Sequence, residues 1–240
     1  MGALILVNRR SGLIEHKDAG AGATQGRDQV GAPVAGPEEA AVKHAVIIAH
    51  PNPDSLTAAS GAAYLQAAGE LGHEVIVRDL YRMGFDPCLK ASETPTAKGL
   101  VFGADVLAER EQLEDVDVFA FHYPLWFNAP PAILKGYVDR VFSMGFGYTP
   151  VFGGAEPALT GRKLISFTLS GAPDHWISET GVIPALMSLF DNHLAAVCGL
   201  EVVDHVHAGG ITPGITREAG EDVLAAVRQA VTRRFAGVSI

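Results

Sequence analysis

Apolar residues in this chain come in short blocks, and the blocks alternate between two periods. His44–His50 (HAVIIAH) is an unbroken apolar run between two histidines. A strand covered on one face alternates in polarity, whereas a continuous run fits a strand buried on both faces. Asp54 or Ser55 then offers an N-cap, and a helix is predicted from Leu56 to about Leu71, where Gly72 ends it. Glu74–Leu80 (EVIVRDL) reads as a second strand and Asp117–Tyr123 (DVFAFHY) as a third. Pro131 opens a helix with Leu134, Tyr137, Val138, Val141 and Phe142 on one face. Lys163–Gly171 is a fourth strand. Ile183, Leu186, Met187, Phe190, Leu194 and Val197 then recur at helical spacing, and Leu200–Val206 is a fifth strand. A last helix runs from Thr216 to about Phe235, with Glu218, Glu221 and Asp222 near its start and Arg233 and Arg234 near its end, as its dipole favours. Between these elements, Arg82–Gln112 reads as a loop excursion with a short helical stretch, and Gly145–Pro157 (GFGYTPVFGGAEP) as a long Gly/aromatic loop.

Strand and helix alternate five times without an internal repeat, which implies an α/β fold: a parallel sheet with helices on both faces. Ligands of such sheets sit beyond the C-terminal ends of the strands, at the topological switch point. Three segments should meet there: HPNPDSLTA after the first strand, PLWFN after the third and TLSGAPDHW after the fourth. Met1–Lys43 differs from all this. It is rich in Gly, Ala and Pro and lacks sustained periodicity, so it reads as a flexible N-terminal arm, or as an arm that packs on a partner subunit, ahead of one domain at 44–240.

Composition narrows the function. The 240 residues are 48% hydrophobic and 19% charged, with a formal net charge of −9. That balance suits a globular body and argues against nucleic-acid or anionic-membrane partners. Two cysteines, Cys88 and Cys198, make no disulfide framework, so a reducing, cytoplasmic setting is the default. No apolar run approaches the ~20 residues that a membrane span needs.

The first loop brings the His50 imidazole, the Ser55 and Thr57 hydroxyls and the amides of a helix start, which together suit a phosphate; plain helix capping is the other reading. No G-x-G-x-x-G or P-loop pattern is present. The second loop brings Trp126 and Phe127, which fit either a flat ligand or ordinary packing. The third brings Thr168 and Ser170 hydroxyls and Gly171, where a backbone can lie against a ligand. A flavin nucleotide has the shape that would engage all three. Tyrosine-phosphatase chemistry would need C-x5-R after the first strand, and a receiver would need acidic residues there; His50 and Pro51 stand instead. The histidines show no H-x-x-x-H or H-E-x-x-H spacing, so no metal site is expected, and His205 and His207 read as edge residues of the last strand.

At this level HPNPDSLTAA, YPLWFNAPPAILKGYVDRVFSMGFGY and SFTLSGAP resemble the NAD(P)H:quinone oxidoreductases of the flavodoxin-like superfamily, with DLYRMGFDPCLKASE and CGLEVVD matching in kind. The resemblance covers Lys43 to the last helix. It implies a flavodoxin-like three-layer sandwich with sheet order 2-1-3-4-5, and a homodimer that reduces quinones by two electrons with NAD(P)H and a held flavin, FAD or alternatively FMN. By position it assigns His50, Ser55, Leu56 and Thr57 to the flavin phosphates, and Pro124, Leu125, Trp126, Phe127 and Asn128 to the ring system. It gives Thr168, Leu169, Ser170 and Gly171 to the T-T-G-G stretch, and Arg217 to the dinucleotide. Phe146, Gly147 and Tyr148 match the aromatic loop that closes over substrate from the partner subunit. Related branches are regulatory flavoprotein subunits of potassium-efflux transporters, which is the alternative function.

The departures matter for mechanism. The family's usual Asn is Thr57 here, and Leu169 and Ser170 differ from T-T-G-G. A Tyr and a His that assist hydride transfer in the animal enzymes are replaced by Trp176 and Val182. That leaves His175, beside Trp176, as the nearest titratable candidate, the other reading being a solvent-facing loop residue.

Overall fold

A computed structural model describes residues 41–96 and 99–238. Of the expected arm, Met1–Lys43, residues 1–40 lie outside the described residues. Val42 is already buried and Lys43 begins the first strand, one residue earlier than the apolar run suggests.

Five strands form one parallel sheet: β1 (Lys43–Ile48), β2 (Glu74–Asp79), β3 (Val118–Pro124), β6 (Lys163–Leu169) and β7 (Glu201–Ala208), in spatial order β2-β1-β3-β6-β7. This is the expected 2-1-3-4-5 order once a separate two-stranded hairpin is set aside. Helices α1 (Leu56–Glu70) and α7 (Arg217–Phe235) cover one face, where Val46, Ile48 and Phe167 meet Tyr64, Val231 and Phe235. Helix α3 (Ala132–Val141) and the segment α5 (Val182–Leu186) to α6 (Asn192–Cys198) cover the other, where Ile47, Phe119 and Phe121 meet Tyr137, Phe190 and Leu194. All seven residues of β3 are buried, as a central strand with two covered faces requires.

Three expectations change. Gly145–Pro157 is not an open loop: it holds an antiparallel hairpin, β4 (Tyr148–Val151) with β5 (Gly154–Pro157), turning at Phe152 and at Gly153 with φ +84°. The hydrophobic spacing from Ile183 to Val197 is not one helix. A π turn at Met187–Asp191 separates α5 from α6, and its extra residue brings Asp191 to the buried side with Phe190. The last strand extends to Ala208 and carries a bulge. Leu164 pairs with Val202, but Ile165 pairs with Asp204, so Val203 is the extra residue. Past the bulge Ser166 faces His205 and Thr168 faces His207. These two histidines lie on an edge strand, yet their side chains turn inward, and that of His205 is fully buried.

The excursion between β2 and α3 includes α2 (Ala104–Gln112) and is pinned by one guanidinium. Arg140 of α3, buried, donates to both oxygens of buried Glu93 (2.8 and 2.6 Å) and to Asp105 (2.7 Å). The pairing pulls the Glu93 carboxyl down to about 2. A Cβ on Gly136 would lie 2.2 Å from the Pro87 carbonyl oxygen, so glycine alone lets the excursion sit this close to α3. Removing one member of such a pair strands the other charge. Glu93→Gln should lower the unfolding free energy by ~3 kcal/mol in urea denaturation.

Two buried histidines set the acid limit. His44 bonds Tyr64 (2.7 Å) and His73 (2.9 Å), and burial together with His73 lowers it to about 3. His122 bonds Ser60 (2.8 Å), its Nε2 has no partner, and burial lowers it to about 3. Both rings stay neutral in the folded state where the unfolded chain takes up protons. Their stability contribution is therefore intact above ~6.5 and lost as pH falls from there toward 3. Between pH 7.5 and 5.5 the unfolding free energy should drop by about 2–3 kcal/mol for the pair, read by urea titration at each pH.

Candidate active site

Because the sheet is parallel, the loops after β1, β3, β6 and β7 all emerge at one edge. They enclose a cleft of about 420 Å³. From the first loop come His50, Asn52, Ser55, Leu56 and Thr57. Ser55 is the N-cap of α1, its Oγ accepting from the Ala58 amide at 3.1 Å. Leu56 and Thr57 occupy the first helical turn, whose amides have no intrahelical acceptor and suit an anion. His50 Nδ1 lies 3.0 Å from the Asn52 amide nitrogen and 3.2 Å from the Asn52 carbonyl oxygen; in the tautomer that accepts from the amide, Nε2–H is free to donate into the cleft.

From the second loop come Pro124, Leu125 and Trp126. Trp126 and Ala129 exchange both backbone hydrogen bonds (3.1 and 3.2 Å) around Phe127 and Asn128, whose φ values are +53° and +58°. Two positive-φ residues between a bonded pair make a type I′ turn, which favours Asn-Gly or Gly-Gly. Asn tolerates that conformation and Phe does not. The turn holds the Phe127 ring at 106% relative exposure, with Trp126 beside it at 43%. The His50 and Trp126 rings are 5.9 Å apart, so the turn also closes one wall of the cleft.

From the third loop come Leu169, Ser170 and Gly171. Gly171 carries an informative negative. Its φ is not positive, and the nearest protein atom to a Cβ built there is the Ile211 carbonyl oxygen at 3.7 Å. Nothing in the surrounding fold demands glycine at that point; a ligand lying against the backbone would.

The fourth wall, Ile211, Thr212, Pro213 and Ile215, was not anticipated. The rule that selected three strand ends applies equally to the fifth, and GGITPGIT has the Gly/Pro content of such a loop.

Other anticipated residues lie apart from the cleft lining. Thr168 is buried against β7, and Arg217 is the exposed first residue of α7. Phe146 packs toward Phe142 in the core, and Tyr148 with Ser143 and Leu194 lines a separate cavity. Asn128 lines another, with Val182 and Leu186. His175 and Trp176 sit exposed on the short helix α4 (Asp174–Glu179), away from the cleft, and Val182 is buried in the core.

A family model described as flavodoxin-like fold matches residues 42–233. This chain belongs to that family. Within it the chain is 34% identical to an uncharacterized NAD(P)H oxidoreductase of Haemophilus influenzae over 171 residues, which is 71% of this chain and 85% of that protein. It is 30% identical to NAD(P)H dehydrogenase [quinone] 1 of Rattus norvegicus, covering 72% of each chain. Among solved structures, an NAD(P)H:quinone oxidoreductase from Methanothermobacter marburgensis superposes with a TM-score of 0.71 at 28% identity, over 80% of this chain and 98% of that one. The grouping with NAD(P)H oxidoreductases marks the chain as an enzyme.

The strained turn makes a stability test. Phe127→Gly should raise the unfolding free energy by ~1 kcal/mol, because glycine adopts positive φ without a Cβ penalty. Phe127→Val, β-branched, should lower it. Thermal and urea unfolding of the ligand-free protein measure both.

Proposed function

We propose that the protein is a flavin-dependent NAD(P)H oxidoreductase that reduces quinones by two electrons. The observation that carries the flavin reading is Gly171, a glycine the fold does not need, lying between an anion-friendly helix start and an aromatic wall. The residues present fit the group. The amides of Leu56 and Thr57 and the His50 Nε2–H would hold a phosphate, Trp126 and Leu125 would line a flat ring, and the Ser170–Gly171 backbone would lie against its edge. When bound, the flavin supplies a two-electron relay between NAD(P)H and an acceptor, used in ping-pong order.

This chain's own residues do the rest. They orient both partners at one place, exclude water with Leu125, Leu169 and Ile211, and offer hydrogen-bond donors where charge develops. Exposed Phe127, Phe152 and Leu189 give the surface apolar points that a second copy would cover, so a homodimer belongs to this reading. Among the described residues no helix is long and apolar enough to cross a membrane. The curated relatives named above, from Haemophilus influenzae and Rattus norvegicus, are named as NAD(P)H oxidoreductases, which supports this reading over a transporter-regulating role.

Purified protein reconstituted with FAD and with FMN separately should retain one of them with at least micromolar affinity, bleach with NADH or NADPH, and recover colour on adding a quinone. Gly171→Ala should leave the unfolding free energy within ~0.5 kcal/mol of the wild type. It should weaken flavin binding by about tenfold or more, which is ~1.4 kcal/mol. Retention of neither flavin, or undiminished affinity in Gly171→Ala, would sink the reading.

A further inference from the structure

A line of hydrogen-bonded side chains starts at the cleft wall and runs into the protein. Ser170 Oγ, at the cleft, lies 3.2 Å from His207 Nε2. His207 Nδ1 is 2.9 Å from Thr168 Oγ1, and the same oxygen is 2.9 Å from His205 Nε2. His205 Nδ1 is 2.5 Å from Asp191 Oδ2, and Asp191 Oδ1 accepts from Ser166 at 3.0 Å. Asp191 is fully buried.

Two backbone irregularities each supply part of this line. The π turn carries Asp191 inward, and the β7 bulge brings His205 and His207 onto the face of Ser166 and Thr168. An unbulged register would have opposed Asp204 and Val206 to those two residues instead. π turns and bulges cost regular hydrogen bonds, and they gather where a side chain must be re-aimed for function.

Two of the arrangements that donor counting allows differ by one proton and by the direction of the chain. With both rings neutral, every donor points inward: Ser170 to His207, His207 Nδ1–H to Thr168, Thr168 to His205 Nε2, and His205 Nδ1–H to the Asp191 carboxylate. With one added proton on His205, its Nδ1–H still donates to Asp191 and every link from Thr168 to Ser170 reverses. His205 Nε2–H then donates to Thr168, Thr168 to His207 Nδ1, and His207 Nε2–H to Ser170. Ser170 must then donate elsewhere, and the Ala172 carbonyl oxygen lies 2.9 Å from its Oγ. Both partners of Ser170 are thus in place, one for each arrangement.

We propose that Ser170, His207, Thr168, His205 and Asp191 form a proton relay that delivers one proton to the cleft in each turnover. This rests on the quinone-reductase reading. NAD(P)H hands over two electrons and one proton as hydride, and a quinone becomes a hydroquinone by taking two electrons and two protons, so one further proton must arrive. Ser170 Oγ–H gives it to the acceptor oxygen. His207 Nε2–H refills Ser170, Thr168 refills His207 Nδ1, and His205 Nε2–H refills Thr168. His205 is left neutral beside the Asp191 carboxylate. A proton from solvent, entering at Ser170 once the cleft has emptied, restores the loaded arrangement. The other ionisable groups facing the line are Tyr123 of β3 and Asp174 of α4. Burial and the neighbouring Asp191 hold the Tyr123 phenol well above its usual range, so it stays neutral. Burial lowers His207, with Asp174 acting the opposite way and His205 adding to the lowering, which favours a ring that changes tautomer without holding charge. Asp191 and His207 are positioning and relay groups, and Ser170 is the one that meets the substrate.

The test is a histidine-ring 15N NMR titration of the purified protein from pH 5 to 9, run beside quinone turnover at saturating NAD(P)H. In the wild type, His207 should change from the Nδ1–H to the Nε2–H tautomer, still neutral, as the line takes up its extra proton. Thr168→Val should abolish that tautomer change and slow turnover about 10–100-fold at pH 8, with less effect at pH 6 where solvent protons are plentiful. Thr168→Ser, which keeps the hydroxyl, should restore both and guards against a fold defect. A His207 ring that keeps one tautomer throughout the titration, or a Thr168→Val pH–rate profile that overlays the wild type, overturns the relay. If the wild type reduces no quinone, the functional reading fails by itself, and the tautomer titration still decides whether the relay exists.

Discussion

A parallel sheet with helices on both faces leaves its central strands no water-facing side, and this constraint governs both the interior of the protein and its cleft. Seven consecutive residues of β3 are buried, so a polar side chain on a central strand finds its partner inside the protein or, like His122 Nε2 and Tyr123 Oη, goes without one. On the α1/α7 face this is met by pairing: His44 with Tyr64 and His73, His122 with Ser60. On the opposite face Ser166 and Thr168 find Asp191, His205 and His207. The same parallel arrangement gathers four strand ends at one edge, and so produces the cleft without any further device.

Against that regular frame the departures from ideal geometry are few among the described residues, and one of them stands beside the cleft. Phe127 accepts a positive φ at its rim. The π turn and the β7 bulge lie farther along the sheet, the bulge beside Leu164 and Ile165 near the opposite end of β6. The helix starts on the other face are conventional: α1 is capped by Ser55 and α7 by Thr216, each hydroxyl accepting a first-turn amide. A positive φ at a non-glycine residue beside the ligand-binding edge is the kind of backbone cost tolerated for function.

How much of this the sequence disclosed depends on what each signal physically encodes. Continuous apolar runs such as HAVIIAH encode burial on two faces, and the sheet with its order is legible from them and from the family resemblance. Gly136 is legible as part of a motif, but its reason, the Pro87 carbonyl 2.2 Å from where a Cβ would sit, is a contact between segments that only the folded chain contains. The β4–β5 hairpin was hidden because GFGYTPVFGGAEP carries the Gly content of a loop and no alternation long enough to read as strand. The bulge was hidden more deeply. LEVVDHV has the same composition with or without it, and one extra residue reverses which face every later side chain takes. That reversal is why His205 and His207 read as edge residues and prove to face inward.

The replaced Tyr and His positions gain meaning from the same geometry. Trp176 is exposed on α4 and Val182 is packed in the core, so neither can pass a proton to the cleft. His175 can ionise, but it is exposed on α4 and lines no part of the cleft. Under the proposed activity each quinone reduced consumes a proton, and another group must supply it. His50 lines the cleft, but its Nδ1 is occupied by the Asn52 amide, and it sits with the phosphate-friendly turn of α1. From the opposite wall, Ser170 is joined to two imidazoles and a buried carboxylate through contacts of 3.2 Å or less. On the proposed reading, Ser170, His207, Thr168, His205 and Asp191 supply the proton that Trp176 and Val182 cannot.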